Sequence, residues 1–143
     1  MRSLNELQEK LTLLTGLLEE LSAAVPPTYR EFASTPLTKR GCERLVQLIV
    51  ECAGDLCTLA VELARQPAPY SLYRSFIEAA HVNLLPEEMA LQLAEWTKLR
   101  NRLVHDYDRV DDAAMYSSLV PIQQQFTLFV KHVHDFVQAQ VRS

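Results

Sequence analysis

Between Lys98 and Asp108 the chain reads Lys-Leu-Arg-Asn-Arg-Leu-Val-His-Asp-Tyr-Asp. Lys98, Arg100 and Arg102 place three cations within five residues, and His105 and Tyr107 follow at once. A fixed guanidinium beside a group that titrates near neutrality suits phosphodiester cleavage. The arginine neutralises charge that develops on the phosphate, and the imidazole moves a proton. The spacing leaves the pairing open. Arg100 and His105 are five residues apart, about 140° around a regular helix, so their side chains diverge. Arg102 and His105, three apart, share a face. Three arrangements follow: Arg102 is the histidine's partner, the helix loosens near Val104 so that His105 turns back to Arg100, or the pair forms between two subunits. A plainer account competes with all three. It is a solvated cationic helix end with a histidine at its cap, which the helix dipole favours.

The other polar residues carry less. His81, His132 and His134 are scattered, and the last two are two apart on different faces, so no metal site is expected. There is no glycine-rich phosphate loop, and no Ser-His-Asp arrangement can be argued from order alone. Tyr29, Tyr70, Tyr73 and Tyr116 read as packing residues, and Trp96 as core. Cys42, Cys52 and Cys57 fall in one expected helix, with the last two about 140° apart around it. They read as reduced packing cysteines rather than a disulfide or zinc site.

The elements that must position the motif read as helices. Ser3 and Glu6 form a capping box. Leu4, Leu7, Leu11, Leu14, Leu18 and Leu21 then step by three and four, and Val25 continues the series up to Pro26-Pro27. So narrow a seam suits a bundle helix or one that also contacts another chain. Tyr29 to Thr35 reads as a link. Thr35 caps a long central helix with Pro36 at its first position. That helix carries Leu37, Leu45, Leu48, Ile49, Cys52, Leu56, Leu59, Ala60 and Leu63, and should end near Gln66. Ser71 starts a shorter helix to about Val82, with Tyr73, Phe76, Ile77 and Ala80 inward. Pro86-Glu87-Glu88 opens the next, whose stripe is Met89, Leu93, Trp96, Leu99 and Leu103. This helix delivers the cationic run at its C-terminal end. Asp108 to Asp112 reads as a turn and a new cap. The last helix runs through Met115, Leu119, Ile122, Phe126, Phe129, Val130, Val133, Phe136 and Val137. Pro121 should kink it or mark a late start. With no strand alternation and three glycines among 143 residues, the expected fold is an all-α, up-and-down bundle of about five helices.

Composition bounds the function. Apolar residues at 48% and charged residues at 22% describe an ordinary globular chain. The net charge of −4 argues against non-specific coating of nucleic acid, so any such role needs a local patch or a groove completed by a second subunit. The N-terminal stretch is studded with Glu, Gln and Lys, so no secretory leader is expected. No apolar run approaches the ~20 residues that span a bilayer. The expected location is the cytoplasm.

Residues Arg100 to Tyr107 resemble the signature of the HepT toxins in the HEPN superfamily of ribonucleases. That signature is Arg, four residues, His, one residue, Tyr, with a polar residue after the arginine, here Asn101. The leucine seam, the Tyr-Arg-Glu-Phe link at Tyr29 to Phe32, the helix start near Pro36, the Leu85-Pro86-Glu87-Glu88 start and the Val110-Asp111 restart are similar as well. The resemblance thus spans nearly all of residues 1–143 as one domain.

It implies a homodimer whose Arg–His motifs face one another across the interface in a single basic cleft, which answers the net-charge objection. It implies RNA cleavage without metal or cofactor. Arg100 would hold the scissile phosphate and stabilise its developing charge, His105 would serve as general base or acid, and Asn101 would orient the phosphate or His105. Lys98 and Arg102 would bind RNA. It further implies a partner, an antitoxin of the MntA nucleotidyltransferase type, that transfers AMP from ATP to Tyr107. Phosphate added there would repel RNA and fill the cleft. Asp106 and Asp108 flank that tyrosine with negative charge. The competing function is a non-catalytic helical subunit that binds a nucleotidyltransferase, which the leucine seam and acidic surface fit equally. A plain structural helical protein is a third.

Overall fold

The computed structural model describes the backbone of residues 2–142 and the side chains of residues 4–142. Six α-helices and one 3-10 turn follow one another: α1 (Arg2–Ala24), α2 (Tyr29–Ser34), α3 (Pro36–Leu63), α4 (Leu72–His81), α5 (Glu87–His105), the turn Tyr107–Arg109, and α6 (Asp112–Arg142). No strand occurs among the described residues. The all-α expectation is met, with six α-helices among the described residues where about five were expected.

The leucine seam of α1 explains its place. Leu7, Leu14, Leu18 and Leu21 are buried, Leu17 joins them, and Leu4 and Leu11 pack partly against the same core. Pro26-Pro27 then stops the helix, because proline offers no amide to continue the ladder. The Ser3 side of the expected capping box lies outside the described residues.

The segment read as a link is instead the short helix α2. The Thr28 hydroxyl accepts from the Glu31 amide at 3.2 Å and caps it. Phe32 is fully buried and its ring meets that of Tyr116, with centroids 5.4 Å apart. Tyr116 in turn donates from Oη to the Pro26 carbonyl at 2.7 Å. So short a helix stands on tertiary packing rather than on its own propensity.

Helix α3 is the axis of the bundle, packed against every other α-helix. Pro36 sits in its first turn as expected, but the Thr35 side chain makes no cap bond. Leu37, expected inward, is 85% exposed. The helix ends at Leu63 rather than near Gln66. Arg65 adopts a left-handed φ of 62°, and the amides of Arg65 and Gln66 turn back to the carbonyls of Glu62 and Val61. Such a reversal satisfies the last carbonyls of a helix. Gly54 lets α4 approach closely, since a Cβ there would collide with Leu72 Cδ1. The three cysteines are buried and free.

Ser71 caps α4 by accepting from the Arg74 amide at 3.0 Å. Pro86 occupies the cap position of α5, with Glu87 and Glu88 in the first turn. Asp111 accepts from the Ala114 amide at 3.0 Å and starts α6, which runs on through Pro121. A late start at that proline is therefore corrected: the helix is already formed at Asp112. Phe76, Phe126 and Phe129 meet edge to face, centroids 6.2 to 6.4 Å apart, and join α4 to α6. Trp96 is half-buried rather than core, and its Nε1 donates to Gln125 Oε1 at 2.7 Å. Tyr70, read as packing, is 85% exposed. Among the described residues no helix is long and apolar enough to cross a membrane.

Candidate active site

Helix α5 carries the cationic motif alongside α3. Arg100 donates from Nε to Glu51 Oε2 at 2.8 Å and from Nη1 to Asn101 Oδ1 at 3.0 Å. The same Glu51 oxygen accepts from Gln47 Nε2 at 3.1 Å. Charge-assisted bonds of this kind fix direction as well as distance.

His105 is the last residue of α5 and is exposed. No hydrogen bond or ion pair holds its side chain among the described residues. Arg102, expected to share its face, makes no bond to it and donates from Nη2 to the Arg109 carbonyl at 3.2 Å. The helix does not loosen at Val104. The Asp106 amide still closes onto the Arg102 carbonyl at 2.7 Å. Within one chain, then, neither Arg102 nor Arg100 meets His105. The structure realises neither of the two intrachain arrangements. Lys98 is exposed and pairs with Glu95 at 2.9 Å, and that bond, then the carboxylate's charge, raises the lysine's pKa.

Tyr107 opens the 3-10 turn and is 55% exposed. The Arg40 guanidinium lies over its ring, 5.0 Å from the centroid, in a cation–π contact. Arg40 is anchored by a 2.7 Å bond from Nη1 to the buried Glu43. That bond, then the charge of Glu43, raises the guanidinium's pKa further. A polar cleft of 340 Å³ opens beside Tyr107, lined also by Tyr29, Lys39, Asp111 and Asp112. Its Lys39 pairs with Asp112 at 3.3 Å.

Sequence reasoning missed the α3 side of this region. Arg40, Glu43, Gln47 and Glu51 recur at steps of three and four on a helix that is otherwise largely apolar. They form one polar stripe beneath the C-terminal half of α5 and the turn after it. That interruption of an apolar helix at its own period was the available signal. Among the described residues no three His, Cys, Asp or Glu side chains converge as a metal site would require.

A family model described as ribonuclease HepT-like matches residues 14–133. The chain belongs to that family. It is similar to the tRNA nuclease HepT of Aphanizomenon flos-aquae (strain 2012/KM1/D3), with 28% identity over 131 residues, 92% of this chain and 89% of the relative. Solved structures share the fold. One is a Shewanella oneidensis HEPN toxin, tri-AMPylated and in complex with an MNT antitoxin. It matches with a TM-score of 0.82 and 18% identity over 90% of this chain and 96% of that one. Another is the cytosolic protein YutE from Bacillus subtilis, of unknown function, with a TM-score of 0.80 and 15% identity over 95% and 91% of the two chains. The ribonuclease family expected from the Arg100–Tyr107 signature is thus the family found.

Proposed function

We propose that this chain is the toxin of a toxin–antitoxin pair, an endoribonuclease that acts as a homodimer in the cytoplasm, with residues 1–143 as its one domain. The observation that carries the proposal is the state of the motif in a single chain. Arg100 is oriented and half-buried, while His105 stands exposed and unbonded at the end of the same helix. A second copy, its motif facing the first, supplies the missing half.

In the joint cleft Arg100 holds the scissile phosphate and stabilises the charge that develops on it. His105 takes the proton of the attacking 2′-hydroxyl or returns one to the leaving oxygen. Asn101, bonded to Arg100, helps to hold that guanidinium. Lys98 and Arg102 lie along the same helix end and add positive field for RNA. No metal is needed for these steps. Tyr107 is the acceptor of AMP from an MntA-type nucleotidyltransferase partner. Its phenol gives up its proton to solvent, and the oxygen bonds to the α-phosphorus of ATP as pyrophosphate leaves. The relative named as a tRNA nuclease, and the tri-AMPylated toxin seen with its antitoxin, support this reading.

The test is cleavage of a total tRNA pool by the purified protein in the presence of EDTA. Arg100→Ala and His105→Ala are expected to abolish cleavage and growth inhibition. Co-expression with an MntA-type nucleotidyltransferase should add AMP-sized mass to Tyr107 and silence the enzyme. A dimer that leaves RNA intact with and without divalent metal would instead be a non-catalytic subunit of that partner.

A further inference from the structure

The guanidinium that the proposed chemistry needs is already engaged on one edge. Glu51 Oε2 takes its Nε–H at 2.8 Å, and Gln47, one turn back on α3, donates to that same oxygen at 3.1 Å. The two charged side chains are 26% and 29% exposed, so the pair is partly shielded from water. Asn101 Oδ1 accepts a hydrogen bond from Nη1 at 3.0 Å. Nη2 makes no hydrogen bond among the described residues. An arginine fastened through Nε and open at its far edge is set to receive an anion in one orientation.

We infer that Glu51, itself held by Gln47, is a positioning residue for RNA cleavage: it fixes the direction in which Arg100 meets the phosphate, and its charge tempers that arginine's hold on anions. The inference rests on the ribonuclease activity proposed above. The carboxylate contributes two separable things, an acceptor oxygen and a negative charge. Glu51→Gln keeps an acceptor of nearly the same shape and removes the charge. Glu51→Ala removes both and returns rotamer freedom to Arg100.

The two variants should therefore differ in kind. Glu51→Gln is expected to bind RNA more tightly, by about two- to fivefold, because a neighbouring charge no longer competes. Its kcat should stay close to that of the wild type. Glu51→Ala is expected to lose roughly tenfold or more in kcat, the cost of a phosphate contact that is no longer aligned. Binding is read with a total tRNA pool on a His105→Ala background, where nothing is cleaved. Cleavage of the same pool gives kcat and KM. The Arg100 Nε–H signal in nitrogen-15 NMR gives a readout apart from activity. It should exchange slowly in the wild type and in Glu51→Gln, and be lost in Glu51→Ala.

If Glu51→Ala does not fold, Gln47→Ala replaces it, with a smaller loss of kcat in the same direction. Lowered melting temperatures with unchanged kcat and KM would overturn the inference and leave a helix-packing pair. A wild-type dimer that leaves the tRNA pool intact would remove the ribonuclease proposal and this inference together.

Discussion

A mixed-dimer experiment separates a shared site from a private one. Along α5, Arg100 and His105 are related by about 7.5 Å of rise and about 140° of rotation. Arg100 is also bonded to Glu51 and Asn101, and to no atom of His105 among the described residues. If each site takes its arginine from one protomer and its histidine from the partner, Arg100→Ala and His105→Ala should complement one another. In a mixed dimer one site lacks both groups and the other has both. Random re-pairing of equal amounts makes half of the dimers mixed, so the pool recovers about a quarter of wild-type kcat per dimer. Loss of a group that stabilises the developing charge costs on the order of 10²- to 10³-fold. The parental variants therefore set a background of about 1% or less, far below the recovered signal. Two affinity tags isolate the mixed species, whose rate should be about half that of the wild type. The assay is initial-rate cleavage of a tRNA pool. A mixture no faster than its parents would refute catalysis across the interface.

Two further outcomes test the fold around the site. Gly54→Ala would drive a Cβ into Leu72 Cδ1 and to 3.3 Å from Ser75 Oγ. Overpacking of this kind should cost ~1–3 kcal/mol, read as a fall of roughly 3–10 °C in melting temperature, and an unchanged melting temperature would contradict the close approach of α3 and α4. Burial pushes the Cys52 thiol from 9.0 up to about 11, against the pull of Lys10, and holds Cys57 well above its ordinary value. The unfolded chain sheds these protons at lower pH than the native one, so the thiols' contribution to stability is constant below about pH 9 and falls as the pH rises toward 11. Urea unfolding at a series of alkaline pH values checks this, and Cys52→Ala should flatten part of the slope.

Most of the helices were legible because their buried faces obey one period. The α1 seam repeats that period along the helix, and the Ser71 cap and the Pro86-Glu87-Glu88 start act within a single turn, where local rules decide. Helix α2 was not legible. Six residues cannot display a period, and what holds them is Phe32 against Tyr116, a contact made 84 positions along the chain. The site divides in the same way. Arg100, Asn101, His105 and Tyr107 stand out by residue type and spacing. Their neighbours on α3 do not, because Glu51 and Arg40 matter through a helix pairing that no local pattern specifies. Of the three arrangements the spacing left open, an Arg102–His105 bond within one chain is not formed. Three residues along a helix bring two side chains near one another, but Arg102 donates instead to the Arg109 carbonyl in the following turn.

Helix α3 also works as a ruler. It meets Arg100 at Glu51 and Tyr107 at Arg40, eleven residues away on nearly the same azimuth, because α5 and its turn run back along it. That interval is about 16 Å. Anything attached to the phenol is thus anchored at one station along α3, while the guanidinium of its own chain is held at the other. To mask it, the adduct must be long enough to cover the gap or lie toward the twin copy's cleft, so the reach of the attached group, and not its charge alone, decides which arginine it covers.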